Sequence, residues 1–134
     1  PPPMLRSLVG SEMCIRDRYK EEYKNKKVCM IFQPHRFSRT AQLFDDFIKV
    51  LKQTDSLIML DIYSASEKPI KGINSRRIVE TLKQNGHKDV TYLKKHDDVI
   101  DLIKKKKDDF DILVTQGAGS VSNICQIIKN QWET

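Results

Sequence analysis

The residues best suited to chemistry lie in one short stretch, IFQPHRFSRT, at positions 31–40. His35, Arg36 and Arg39 follow directly on an apolar run and precede residues with helical spacing. From Tyr19 onward the chain has 17 lysines and only 4 arginines, two of which lie in this stretch. Arginine grips a carboxylate or phosphate in a fixed geometry, and histidine adds a donor that is tunable near neutral pH. The stretch therefore predicts an anion site; incidental basic residues at a helix N-terminus are the alternative, which the helix dipole disfavours.

Alternating apolar runs place this stretch at the end of a strand. Short β-rich runs predict strands at 27–33, 56–63, 89–94 and 110–116. Apolar residues at helical spacing predict helices at 38–53, 74–86, 96–106 and 121–132, the first capped by Ser38 or Thr40. Strands alternating with helices indicate an α/β fold, a Rossmann-like three-layer domain with a mainly parallel sheet.

Ligands of open parallel sheets bind beyond the carboxyl ends of the strands, which singles out four loops. Besides QPHRFSR these loops are DIYSASE, KKHDD and TQGAGS. Asp61 and Glu67 in the second loop can serve a metal or an amine, although a helix cap or a loop salt bridge is the commoner role. TQGAGS is glycine-rich but matches neither the dinucleotide fingerprint nor the P-loop, and a tight turn explains it equally well.

Other polar residues carry no predicted chemistry. His87 and His96 are interpreted as isolated surface residues, and Ser120 and Ser122 lack a histidine partner for nucleophilic catalysis. The three cysteines, Cys14, Cys29 and Cys125, are widely spaced, which indicates a reducing cytoplasm and no zinc site.

The composition is that of one soluble globular domain. The 134 residues are 39% hydrophobic and 31% charged, with a net charge of +6. Nucleic-acid binding is disfavoured because the lysines are interleaved with acids and no aromatic residues alternate with them. No apolar run has the length of roughly 18–20 residues that a membrane span needs.

Residues 1–18 differ from the rest. The segment LVGSEMCIRDR, at 8–18, resembles the translation of a common transposon-based sequencing adapter. We expect 1–18 to be a non-native, disordered leader and 19–134 to be the domain; a natural leader is the alternative.

Three stretches together resemble one family. FQPHRFSRTAQLFDDF, DIYSASEKPIKGINS and TQGAGSVSNI are similar, in this order, to the C-terminal domain of the Mur ligases, in particular the member that joins L-alanine to UDP-N-acetylmuramate. The resemblance extends from Tyr19 to Trp132. The family's P-loop and its Tyr-Gly-His-His-Pro stretch are not in this sequence, and Ser120 stands where the family usually has Asn. The resemblance therefore implies a C-terminal domain truncated at its N-terminal side.

The resemblance also implies a reaction and a site. The full-length ligase uses ATP and Mg²⁺ to phosphorylate the muramate carboxylate, and the amine of L-alanine attacks the acyl phosphate. In the family the first domain binds the UDP-sugar and the central domain holds the P-loop and the Mg²⁺ ligands; both domains are expected to be missing from this chain. In this cytoplasmic bacterial enzyme of peptidoglycan synthesis, His35, Arg36 and Arg39 would hold the amino-acid carboxylate and nearby reacting groups. No catalytic residue and no metal ligand is assigned to this chain, which is expected to be inactive alone. The cleft would be lined by Ser38, Asp61, Tyr63, Glu67, Gln116, Gly117, Ala118 and Gly119.

Three alternatives stay open. A related ligase that attaches murein peptides to the same sugar would show a different loop at 33–39. A stand-alone Rossmann-like module for an acidic metabolite and a basic nucleic-acid-binding domain are the others.

Overall fold

The computed structural model describes residues 4–8, 25–117 and 121–133. Its strands form one sheet in which every neighbouring pair is parallel, in the order β1-β5-β2-β3-β4. The strands are β1 (Met4–Leu8), β2 (Val28–Gln33), β3 (Ser56–Met59), β4 (Val90–Tyr92) and β5 (Ile112–Gly117). The predicted parallel α/β domain is confirmed.

Helices cover both faces of this sheet. They are α1 (Phe37–Gln42), α2 (Phe44–Leu51), α3 (Ser75–Gln84), α4 (His96–Lys106) and α5 (Val121–Glu133). One apolar cluster joins α2 and α3 to one face, and a second joins α4 and α5 to the other. The central strands β2, β3 and β5 contribute alternate residues to the two clusters, and all six residues of β2 are buried. The predicted three layers are thus present.

The strand order creates a topological switch point beside β2. The chain runs outward from β2 through β3 to β4 and then crosses back to β5 on the other side of β2. Right-handed crossovers in opposite directions place their helices on opposite faces, which explains why α3 and α4 lie on different sides. The crevice between the carboxyl ends of β2 and β5 is where such sheets bind ligands.

Several predicted boundaries differ from the observed ones. The helix expected at 38–53 is two helices that meet at Leu43, whose φ of −106° and ψ of 17° interrupt the helical path. The restart lets α2 turn Phe47 onto the sheet, where its ring meets that of Phe32 edge-on at 5.4 Å between centroids. The strand expected at 56–63 ends at Met59; its neighbour β4 ends at Tyr92, and after Leu60 the pairing with the chain leaving β2 resumes only at Tyr63.

Part of the leader is ordered, contrary to expectation. Met4–Leu8 form β1, which pairs with β5 from Met4 opposite Ile112 to Leu8 opposite Gln116. The prediction of disorder is therefore wrong for these five residues. They can pair with β5 because its open edge offers unpaired backbone groups to any extended segment. The non-native origin of 1–18 stays a prediction, and residues 1–3 and 9–18 lie outside the described residues.

Polar contacts fix the amino ends of the strands. The Asp55 carboxylate accepts the Val28 N–H at 2.8 Å, and the Asp111 carboxylate accepts the Lys27 N–H at 3.0 Å. Cys29 is a buried free thiol, as expected of a small apolar residue, and burial raises its pKa to about 12.

His87 is buried, which corrects its interpretation as a surface residue. Its Nδ1 accepts the Asp89 N–H at 3.2 Å, so the ring proton sits on Nε2 and is donated to the Thr54 hydroxyl at 3.0 Å. That hydroxyl in turn donates to the Leu51 carbonyl at 2.6 Å. The imidazole thus ties the end of α2 to the turn after α3 in its neutral form, and burial lowers its pKa.

Candidate functional site

The end of β2 carries the predicted cationic stretch and joins it to the loop after β3. Pro34 is buried, and the parallel pairing resumes as an isolated bridge between His35 and Tyr63. The Tyr63 N–H donates to the Pro34 carbonyl at 2.8 Å, and the Arg36 N–H donates to the Tyr63 carbonyl at 2.7 Å. The first and second predicted loops are therefore one hydrogen-bonded unit.

Aromatic stacking fixes the imidazole of His35. Its ring lies nearly parallel to that of Tyr63, with 5.7 Å between centroids and 12° between planes. His35 is half-buried, whereas Tyr63 is 44% exposed. The stack holds the imidazole plane while part of the tyrosine surface stays open to a ligand.

The backbone at Arg36 is strained. Its φ of +71° with a ψ of 143° lies in a region that suits glycine, and a residue held there costs about 1–3 kcal/mol. The hydrogen bond to Tyr63 helps to keep it there. Strain of this kind concentrates at ligand sites, where the surrounding structure over-determines one side-chain direction.

Arg36 and Arg39 both lie at the start of α1. Arg36 is the N-cap residue, and Arg39 is the third residue of the helix. Both side chains are exposed. Two exposed guanidinium groups beside His35 give this end of the sheet the cationic character predicted from the sequence.

Glu67 caps α1, in agreement with the commoner role considered for it. Its Oε1 accepts the Ser38 N–H at 3.1 Å, and its Oε2 accepts the Ser38 hydroxyl at 2.5 Å. The predicted caps by Ser38 or Thr40 are wrong, because the Ser38 hydroxyl donates to Glu67 and that of Thr40 donates to the Arg36 carbonyl. Hydrogen bonds from the Ser38 side chain and backbone lower the pKa of Glu67.

The cap decides where an anion can bind. Glu67 already uses the Ser38 N–H, so the helix terminus itself is taken by a carboxylate of the protein. An external anion therefore depends on the side chains of His35, Arg36 and Arg39 and not on the helix N-terminus.

Asp61 extends the site toward β4. Its backbone carbonyl accepts a hydrogen bond from the Gln33 side-chain amide at 3.2 Å, and its exposed carboxylate accepts one from the Tyr92 hydroxyl. The guanidinium of Arg76, in the first turn of α3, lies over the Tyr92 ring at 5.3 Å from its centroid. Burial and the neighbouring Asp61 raise the pKa of Tyr92, so the phenol stays a donor at neutral pH.

Tyr92, Gln33 and Arg76 were not among the predicted site residues. The sequence predicts a strand that reaches residue 94. Tyr92 is then inside the strand, and the predicted ligand loop is KKHDD beyond it. The shorter β4 puts Tyr92 at the carboxyl edge. Arg76 could have been selected as a site residue from the sequence, because it is one of only four arginines after Tyr19.

The end of β5 packs directly against the end of β2. Gly117 is opposite Gln33, and a Cβ on it would lie 2.4 Å from the Gln33 carbonyl oxygen. Its φ of +138° also favours glycine. The neighbouring Gln116 is buried, and its Oε1 has no hydrogen-bond partner within the described part of the chain. Ala118 and Gly119 lie outside the described residues.

The described residues bring together most of the predicted site. Hydrogen bonds or ring stacking join His35 and Arg36 to Tyr63, Ser38 to Glu67, and Asp61 to Gln33, and Gly117 abuts the strand end at Gln33. No group of three or more His, Cys, Asp or Glu side chains suitable for a metal ion occurs in residues 25–117. The arrangement suits an organic anion that also presents a polar or cationic group.

Solved structures with a similar fold are known, and one of them is an enzyme of the kind that the sequence resembles. It is the UDP-N-acetylmuramate-alanine ligase MurC from Thermotoga maritima, which superimposes with a TM-score of 0.68 at 20% sequence identity. The match covers 96% of this chain and 27% of that enzyme, so the chain spans about a quarter of its length. No family model matches the sequence. In the part of the chain that the structure describes, no helix is long and apolar enough to cross a membrane. The likeness establishes that the chain has the fold of part of this ligase.

Proposed function

We propose that this chain is the C-terminal, amino-acid-binding domain of an ATP-dependent ligase that joins L-alanine to UDP-N-acetylmuramate. The observation that carries the proposal is the hydrogen-bonded unit of the first two loops, which holds His35 and Arg36 at the switch point of the sheet, with Arg39 in the helix that follows directly. The shared fold with MurC and the three Mur-like stretches support the same assignment.

The cationic side chains bind and orient the substrate. A free amino acid must be held by its carboxylate if its amine is to face an acyl phosphate, and two guanidinium groups beside an imidazole supply donors for that grip. The same charges offset negative charge that develops on the phosphoryl oxygens as the amide forms.

ATP and Mg²⁺ are assigned to the remainder of the ligase. The residues described in this chain offer no cluster of metal ligands, and the sequence has no P-loop, so they do not fit either group by themselves. This chain contributes the amino-acid side of the reaction, and we expect it to show no alanine-dependent ATP hydrolysis alone.

Titration of the isotope-labelled chain with L-alanine, followed by NMR, tests the proposal. We expect shifts confined to the loops after β2 and β3, and at least a tenfold loss of affinity in Arg36→Gln, the size expected for a hydrogen bond between charged groups. Lys104→Gln, which removes one positive charge from the exposed surface of α4, is the matched control and should bind normally. Equal weakening in both variants, or no binding to the wild type, would contradict the proposed site.

A further inference from the structure

We infer that the carboxylate of Asp61 receives the ammonium group of the amino acid, and that Tyr92 and Arg76 position it for that contact. The inference rests on the proposed function and deepens it, because it assigns the second charged end of the substrate. It also makes the site selective for a zwitterion over a simple carboxylate.

The main chain holds Asp61 close to the cationic side chains. The hydrogen bond from the Gln33 amide to the Asp61 carbonyl crosses from the end of β2 to the chain leaving β3. Two residues further on, Tyr63 is bridged to His35. Adjacent strands are about 4.8 Å apart, and two extended residues span at most about 7 Å. The ammonium nitrogen and carboxyl carbon of an α-amino acid, about 2.5 Å apart, can be reached by side chains from both strands.

The charges at this edge match a zwitterion. Arg36, Arg39 and Arg76 are positive, and Glu67 is engaged as the cap of α1. Asp61 is exposed, and its second carboxylate oxygen has no hydrogen-bond partner in the part of the chain that the structure describes. An ionised carboxylate is an acceptor with several lone-pair sites, so one oxygen can keep Tyr92 while the other takes an ammonium donor.

Tyr92 and Arg76 hold the carboxylate without touching the substrate in this scheme. The Tyr92 hydroxyl donates to Asp61 and so limits its rotamers, while the Arg76 guanidinium lies over the tyrosine ring. Arg76 is the second residue of α3, and the start of this helix is fixed because the Ser75 hydroxyl donates to the Leu60 carbonyl at 2.5 Å. The contact therefore connects the ends of β3 and β4 to the first turn of α3.

The test compares L-alanine with propionate, which keeps the carboxylate and lacks the amine. NMR titration of the labelled chain should show L-alanine binding about tenfold more tightly than propionate, the effect expected of a hydrogen bond between two charged groups. In Asp61→Asn, which preserves the side-chain shape and an acceptor for Tyr92, we expect the two affinities to become equal. Tyr92→Phe should reduce the preference only in part, and Asp108→Asn, an exposed carboxylate beyond α4, should leave it intact.

The outcomes separate the inference from the proposed function. Equal binding of both ligands to the wild type, or a preference that survives in Asp61→Asn, would overturn the ammonium contact and leave the carboxylate site standing. Binding of neither ligand would refute the proposed function itself. If Asp108→Asn also lost the preference for L-alanine over propionate, the preference would depend on overall charge, and the role of Asp61 would be overturned.

Discussion

Replacing Gly117 by alanine tests whether the ends of β2 and β5 depend on a close backbone approach. The new Cβ would lie 2.4 Å from the Gln33 carbonyl oxygen and 3.1 Å from both the carbonyl carbon and the Cβ of the same residue. Ordinary contacts of this kind begin at 3.4 Å, so the overlap with the oxygen is about 1 Å. Only movement of the main chain can relieve it, since the obstructing atom is backbone.

The expected cost has two parts. A non-glycine residue at a φ of +138° is strained by about 1–3 kcal/mol. Forcing extra volume into a packed contact adds about 1–3 kcal/mol. A total near 4 kcal/mol is a large fraction of the roughly 5–15 kcal/mol that stabilises a domain, and it lowers Tm by on the order of 15 °C.

Urea unfolding of Gly117→Ala and Gly86→Ala separates the two parts. Gly86 also has a positive φ, +94°, but a Cβ there would meet nothing within 4 Å. We therefore expect Gly86→Ala to show the strain alone and Gly117→Ala to lose about 2 kcal/mol more, which is about 1 M in urea midpoint. Equal losses in the two variants would refute the close-approach argument, because conformational strain would then account for both.

Three further perturbations follow from the same contacts. Because burial lowers the pKa of His87 below its ordinary 6.5, the unfolded chain binds more protons just below that value, and the free energy of unfolding should decline as the pH falls from about 6.5 toward 5. In His87→Asn, urea unfolding across pH 5–8 should no longer show this pH dependence of the unfolding free energy. An unchanged dependence would show that a group other than His87 causes it. Arg36→Gly should relieve backbone strain, so Tm should hold or rise while L-alanine affinity falls; a drop in both would show that the conformation is not strained. Glu67→Gln should lower Tm modestly and speed amide exchange at Ser38, since a neutral amide caps a helix terminus less well than a carboxylate; unaltered exchange would exclude the cap.

The parallel α/β fold class could be predicted from the sequence because its signals are local. Apolar runs and helical periods alternate regularly, and all-parallel pairing follows from that alternation. The arginines stood out by contrast with the surrounding lysines, and the strand-end rule then placed Arg36 and Arg39 in the ligand crevice. Residue type and position in the chain were enough for these inferences.

Other features depended on contacts between distant residues. The cap of α1 comes from Glu67, 29 positions after Ser38, whereas the local candidates turn their hydroxyls elsewhere. The role of Tyr92 depends on the early end of β4, which tertiary pairing decides. His87 is buried because α2 and α3 end side by side, and no local sequence pattern predicts that arrangement.

The shortness of β4 has a consequence for association between molecules. This strand forms one border of the sheet, and an exposed border is a template on which a second chain can add a strand. With only three residues, β4 offers few backbone groups for such pairing, and the exposed side chains of Lys94 and Lys95 lie just beyond its end. If two molecules met along this border, four lysine ammonium groups would come close together, and only a few backbone hydrogen bonds could form between the two strands. The same early end that frees Tyr92 to hold Asp61 therefore also disfavours strand pairing between molecules at this border of the sheet.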